Sequence, residues 1–187
     1  MKRLVFLWPL AGLFFSCLSL SGNLYVYSSN SYLLTLEYSL RKEFIGLEYV
    51  ADQSSAMVLP RNEEEWLAFA ATHGGVTFQS EGFELIEGEE RRVIRARISF
   101  NDPVVLEDLL SCKVAFEGNN PYKMTLTYER GEEPSETGVS YINGFCAGET
   151  VSLTIYGPGN ASQSDSWSLR ELLLETEAPS ISIEWEE

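Results

Sequence analysis

Arg91-Arg92-Val93-Ile94-Arg95-Ala96-Arg97-Ile98-Ser99-Phe100 is the stretch on which the fold turns. Ile94, Ala96, Ile98 and Phe100 fall on one side of an extended chain, and Val93, Arg95, Arg97 and Ser99 on the other. A period of two belongs to a strand with one face in a core and one in water. The same alternation recurs at Leu34, Leu36, Tyr38 and Leu40, at Tyr122, Met124, Leu126 and Tyr128, and at Val151, Leu153 and Ile155.

Upstream of the opening stretch, Asn62 stands three residues before Glu65, a capping-box spacing, and Glu63 and Glu64 suit the positive end of a helix. Trp66, Leu67, Phe69 and Ala70 supply the apolar face of that helix, and Gly74-Gly75 ends it. Val76 and Phe78, then Phe83, Leu85 and Ile86, read as short strands with Gly88 in the turn. Residues 44–50 read as a further strand pairing across Arg41-Lys42-Glu43, and residues 56–59 as a short apolar run stopped by Pro60. Downstream, Asp102 and Pro103 open a helix that buries Val105, Leu106, Leu109 and Leu110. Val114 and Phe116 lead into the turn Gly118-Asn119-Asn120-Pro121. Residues 130–138 read as an exposed acidic loop and 157–166 as an open turn region. Ser168 and Glu171 repeat the capping-box spacing ahead of Leu172, Leu173 and Leu174, and Ile181, Ile183 and Trp185 close the chain as a strand, its edge guarded by Glu184, Glu186 and Glu187. The whole predicts an α+β domain with antiparallel or mixed sheets and two or three short helices; a β-sandwich is the alternative.

At 187 residues, 44% apolar and 22% charged, the chain suits one globular domain. Thirteen Lys and Arg against 28 Asp and Glu give a net charge of -15. Such a surface repels phosphate backbones and anionic headgroups, which argues against nucleic acid and against peripheral membrane binding by charge.

The first residues point to export. Lys2 and Arg3 form a basic start, and residues 4–20 are almost wholly apolar, broken by Pro9, Gly12, Ser16 and Ser19. The run is short for a spanning helix and has the form of a cleaved signal. Two cleavage sites compete. Ser19-Leu20-Ser21 gives a mature start at Gly22, whereas Leu13-Phe14-Phe15-Ser16-Cys17 resembles a bacterial lipoprotein signal of the loose spirochaete type, with Cys17 as the acylated residue. The lipoprotein reading is preferred because it resolves the odd cysteine count. It divides the chain into a signal peptide at 1–16, an acylated Cys17 with a short polar tether through 31, and a single α+β domain at 32–187.

The remaining pair, Cys112 and Cys146, is an even number in an exported chain, and a disulfide between them would contribute ~3–4 kcal/mol on the chain-entropy model. The alternative is two buried thiols. No CxxC exists and His73 is the sole histidine, so zinc and redox exchange have no support, and no cofactor is expected. No GxSxG surrounds a serine. The Glu87-Gly88-Glu89-Glu90 and Glu132-Glu133 clusters read as solvated loops, and Asn160-Ala161-Ser162 fits a glycosylation pattern that matters only in a eukaryotic route.

Arg91, Arg92, Arg95 and Arg97 are the one basic concentration. Arg95 and Arg97 share a strand face about 7 Å apart, either paired with cross-strand Glu or offered to an acidic partner. Tyr25, Tyr27, Tyr32, Phe44, Tyr49, Tyr122, Tyr128 and Tyr156 suffice for a core or for a groove.

The stretches 32–49, 59–76 and 92–110 together resemble the N-terminal part of the bacterial LppM-like envelope lipoproteins: an extended-strand start, a helix opening in an acidic segment, and a Gly-Val strand behind it. The resemblance implies an envelope lipoprotein and carries no catalytic residue. That family usually adds a C-terminal membrane helix, whereas this chain closes on Trp185-Glu186-Glu187. The function expected is that of a non-catalytic lipoprotein, anchored in the periplasm or at the cell surface, that binds an envelope protein. The alternatives are a module for lipid or another small hydrophobic ligand and an exported hydrolase with a carboxylate site.

Overall fold

The computed structural model describes residues 18–28, 30–41, 59–78, 82–88, 90–118, 122–129, 148–174 and 177–186, with positions 136, 139, 140 and 143. Among them are ten strands and three α-helices, so the chain is mixed and mostly sheet. Strand β1 (Leu18–Ser28) and β2 (Ser31–Arg41) form an antiparallel hairpin. Helix α1 (Glu63–Thr72) follows, then the short β3 (Thr77–Phe78) and β4 (Glu84–Glu87), and then β5 (Arg91–Phe100), the stretch whose alternation opened the reading. After helix α2 (Val104–Leu110) come β6 (Cys112–Glu117) and β7 (Tyr122–Tyr128). Strands β8 (Thr150–Tyr156) and β9 (Ser162–Ser168), helix α3 (Leu169–Leu174) and β10 (Ser180–Trp185) complete the order.

Two open sheets result. The larger has seven strands in the order β3-β5-β2-β1-β8-β9, with β4 sharing the β5 edge with β3; the smaller runs β10-β7-β6. The larger is mixed because β1 and β8 are parallel, while the smaller is antiparallel throughout. Period-two patterning sends Leu24, Leu34, Leu36, Ile94, Ile98 and Ile155 to the inner face. There they join Met124, Leu126, Ile181 and Ile183 of the smaller sheet, with Leu106 and Leu109 of α2 and Leu172 of α3, in one apolar cluster. The two sheets therefore share a core, and this part is sandwich-like.

The segment expected as a tether is the main correction. The sequence suggests a short tether through residue 31 because five serines and two asparagines crowd 19–31, although Leu24-Tyr25-Val26-Tyr27 interrupts it with strand-like residues. Instead β1 starts at Leu18 and lies between β2 and β8, with Leu20, Leu24 and Val26 buried. Its serines alternate with these apolar residues and face outward, so polarity reports the solvent side of a strand. Gly22 sits on the inner face, where an added Cβ would lie 3.0 Å from Leu153 Cδ1 and 3.1 Å from Leu36 Cδ2. The missing side chain lets those two leucines meet over β1.

A second correction concerns 157–166. Pro158–Asn160 is a turn of 3-10 helix, but the chain from Ser162 is the strand β9. It lies at the edge of the sheet with most of its side chains exposed, so no apolar alternation marks it. On α1, Trp66 is buried as expected, while Leu67 is 51% exposed. The Asn62 cap is present: Asn62 Oδ1 accepts from Glu65 N at 2.9 Å, and Glu65 returns to Arg61 N at 2.8 Å. Ser168 and Glu171 cap α3 reciprocally. The expected strand at 44–50 and the run at 56–58 lie outside the described residues.

Trp66 Nε1–H donates to Tyr38 Oη at 2.9 Å, and the Tyr38 hydroxyl donates to Pro60 O. Burial is the main reason the Tyr38 hydroxyl stands far above its ordinary pKa. The pair pins α1 to β2, and Trp66 stacks on Phe78 at 5.8 Å between ring centroids. Among the described residues no helix is long and apolar enough to cross a membrane.

Candidate functional site

The outer face of β5 carries Arg91, Arg95 and Arg97 into different settings, whereas Arg92 falls on the face of Ile94. Strand register places Glu37 of β2 and Glu84 of β4 on either side of Arg95. Arg95 Nε donates to Glu37 at 2.6 Å and Nη1 to Glu84 at 2.7 Å, and all three side chains are about half exposed. Those hydrogen bonds to Glu37 and Glu84 raise the Arg95 pKa further above its already high value. Arg92 pairs with Glu87 at 2.6 Å. Arg97 stands opposite Thr35 and is exposed, with no ion pair to any other described residue. Gly82 passes close over it: a Cβ there would be 2.7 Å from Arg97 Cβ. Beside this row Ile86, opposite Val93, is 40% exposed, whereas Leu85, opposite Ile94, is 39% exposed on the other face of the strand. The four arginines therefore do not form one free basic patch. Arg97 with Ile86 and Val93 is what remains for a partner.

Arg91 belongs to a different site. Its guanidinium binds Glu149, just ahead of β8, and Nη1 donates to Ser39 of β2 at 3.0 Å. Ser19 of β1 donates to the same carboxylate. Glu149 is only 4% exposed, the one buried charged residue among those described. Its carbonyl accepts from Leu169 N at 2.8 Å, tying the start of α3 to the same point. The carboxylate thus joins β5 and β1 directly and β2 through Arg91, while the backbone carbonyl of the same residue ties in α3. Sequence reading missed it, because Gly148-Glu149-Thr150 has no feature that separates Glu149 from the chain's other acids.

His73, the sole histidine, closes α1 onto α2. Nδ1 lies 2.8 Å from the Phe69 carbonyl and Nε2 2.8 Å from Asp108 Oδ2. Partial burial opposes the charge, but the Phe69 carbonyl and Asp108 outweigh it and raise the imidazole pKa. Both ring nitrogens are occupied by structural partners, which leaves none to activate a nucleophile.

Cys112 is buried, with a free thiol directed at Leu106 O at 3.5 Å, and burial, with Glu107 and Glu129, pushes its pKa up to about 12. Cys17 and Cys146 lie outside the described residues, as do Glu132, Glu133, Phe44 and Tyr49. The other aromatics divide between core and surface. Tyr32 is buried against Phe100 and Tyr122 stacks on Trp185. Tyr25 stacks on Tyr156 at 4.7 Å, and Tyr27 is 61% exposed. Asn160 has φ +66° and lies in the turn before β9.

Between the sheets an apolar cavity of about 50 Å³ is lined by Leu20, Leu110, Cys112, Tyr128, Trp167 and Ile181 among others. An open polar groove of about 380 Å³ runs past Lys123, Ser162, Gln163, Ser182 and Glu184. Among the described residues no group of three or more His, Cys, Asp or Glu side chains is placed to hold a metal ion.

No family model matches the chain, and no curated protein matches it. Among solved structures it is similar to the folded domain of the LppM protein of Mycobacterium tuberculosis, at a TM-score of 0.40 and 8% identity over 90% of this chain and 89% of that one. A likeness at that level assigns no function.

Proposed function

We propose that this chain is a non-catalytic cell-envelope lipoprotein, cleaved ahead of Cys17, acylated there, and acting by binding an envelope protein. The observation that carries the anchoring is the start of β1 at Leu18. Cleavage ahead of Cys17 leaves every residue of β1 in place. Cleavage ahead of Gly22 would remove the residues pairing with Leu40, Ser39, Tyr38 and Glu37, together with buried Leu20 and the Ser19 hydroxyl on Glu149. Intact mass of the protein from its native membrane tests this. A chain starting at Cys17 and carrying lipid is expected; an unmodified start at Gly22 overturns the reading.

Partner binding has support in the exposed Ile86 opposite Val93, with Arg97 on the same face of β5 beyond the Arg95–Glu84 pair. A pull-down from envelope extract with Arg95→Glu and Arg97→Glu together should recover less of the partner, and unchanged recovery sinks this surface. A carrier for lipid is less well supported: the cavity of about 50 Å³ is far below the roughly 300–1,000 Å³ of a small-molecule site. Bound lipid in the purified domain would reverse that judgement. A hydrolase would need two carboxylates set in a cleft, and measurable glycan hydrolysis would displace the non-catalytic reading.

A further inference from the structure

The larger sheet has two unlike ends. At one end β1, β5 and β8 start and β2, β4 and β9 finish, since Leu18 pairs with Leu40, Arg91 with Arg41, Glu87 with Arg92 and Thr150 with Ser168. At the other end stand Tyr27, Tyr32, Phe100 and Tyr156. Cys17 immediately precedes Leu18, and consecutive Cα atoms are only ~3.8 Å apart across a trans peptide whatever the local conformation. No slack chain separates the acylated position from a strand hydrogen-bonded on both sides.

We infer that the domain is held directly against the lipid bilayer with the Leu18–Thr150–Ser168 end of the sheet facing the headgroups, so that the Tyr27–Tyr156 end projects outward. This rests on the anchoring at Cys17 proposed above. The occupant of that end is a lipid surface because the chain leading to the anchor stops there. A tether of the length first expected, fourteen residues from 18 to 31, would let the domain tumble; a strand in its place transmits the anchor's position to the sheet. The Ser19–Glu149–Arg91 contacts stiffen that end, tying β1, β5 and the residue ahead of β8 together at the second residue after Cys17. Eleven residues of β1 at ~3.3 Å each place the far end about 36 Å from the anchor.

The test uses the full-length lipidated protein in phosphatidylcholine vesicles that carry a nitroxide on the headgroup. In a Cys146→Ser background, with Cys112 buried, a fluorophore is placed by Thr150→Cys or by Ser162→Cys; both native side chains are exposed. The two positions are at opposite ends of the β8–β9 hairpin, about 20 Å apart along the strands, so quenching at 150 should exceed that at 162 by about threefold or more. Equal quenching in protein whose intact mass shows lipid on Cys17 overturns the orientation and leaves the anchor standing. A mass without lipid overturns the anchoring and this inference with it. A flexible Gly-Ser linker inserted between Cys17 and Leu18 should abolish the difference while the mass still shows lipid. If the difference survives the linker, the direct junction is not what orients the domain, and the inference fails. Circular dichroism and a melting curve on each variant separate these outcomes from misfolding.

Discussion

Arg91 and Arg95 stand four residues apart on the same face of one strand, each bound to carboxylate from elsewhere in the chain, yet they stabilise the protein in different ways. Arg95 and its partners Glu37 and Glu84 are all about half exposed, so water screens the attraction and the fixed side chains cost entropy. Glu149 is 4% exposed and has given up its hydration to Arg91 and Ser19. A charge in that position is costly unless paired, which makes each partner indispensable to the other. The same pairing chemistry is thus decoration at one place on β5 and a joint of the fold at the other.

The largest effect should follow from removing one side of the buried joint. Arg91→Met leaves the buried Glu149 carboxylate without its cation and should lower the unfolding free energy by about 3–5 kcal/mol, read from urea denaturation with an unchanged m-value. Replacing both partners, Arg91→Met with Glu149→Leu, should recover much of that loss. A double variant as unstable as Arg91→Met would show that the buried unpaired carboxylate is not the cause.

Tyr38 is the neutral counterpart of Glu149: buried, with Trp66 donating to it and Pro60 O accepting from it. Tyr38→Phe strands an indole N–H and a carbonyl but no charge, so the expected loss is about 1–3 kcal/mol, below that of Arg91→Met. The reverse ranking would break the comparison between a buried charge and a buried hydroxyl.

What could be read in advance divides along the same line. The β5 alternation, the Asn62 and Ser168 caps and the closing strand at Ile181 and Ile183 each obey a local rule, and each is where that rule puts it. Strand β1 reads as a tether because its serines resemble a linker around the strand-like Leu24-Tyr25-Val26-Tyr27, while Leu20, Leu24 and Val26 are buried in a cluster shared with Met124, Leu126, Ile181 and Ile183, far away in sequence. Edge strand β9 has little inner face to show, so its polarity hid it. The Glu149 joint depends on residues 19, 39, 91 and 149 converging, and no spacing rule spans such separations. The arginine cluster was legible as a cluster; its division between a buried joint and an exposed row was not.

His73 and Asp108 fall between the two extremes, with 20% and 55% of their side chains exposed. The histidine's pKa is raised in the folded state, so its stabilisation is fully present below the unfolded value of about 6.5 and is lost as pH rises through the higher folded value. Between about pH 5.5 and pH 8.5 the native protein should lose under about 1 kcal/mol relative to Asp108→Asn. A stability difference that does not change across this window would mean that the pair does not titrate.

The smallest effect should come from the exposed row. Glu37→Gln with Glu84→Gln removes both partners of Arg95, yet the register of β2, β5 and β4 is held by backbone pairing and by Ile94, Ala96 and Ile98 on the inner face. The melting temperature should therefore stay within error of the native protein at physiological salt, with any shift appearing only at low ionic strength, where screening is weak. The same double variant frees Arg95 beside Arg97 and makes the row net basic. If an acidic partner docks there, its association should speed up while stability stays level, because an exposed charge acts more on encounter than on residence. A large loss of stability from this variant would mean that the two arginine sites on β5 do not differ as their exposure requires.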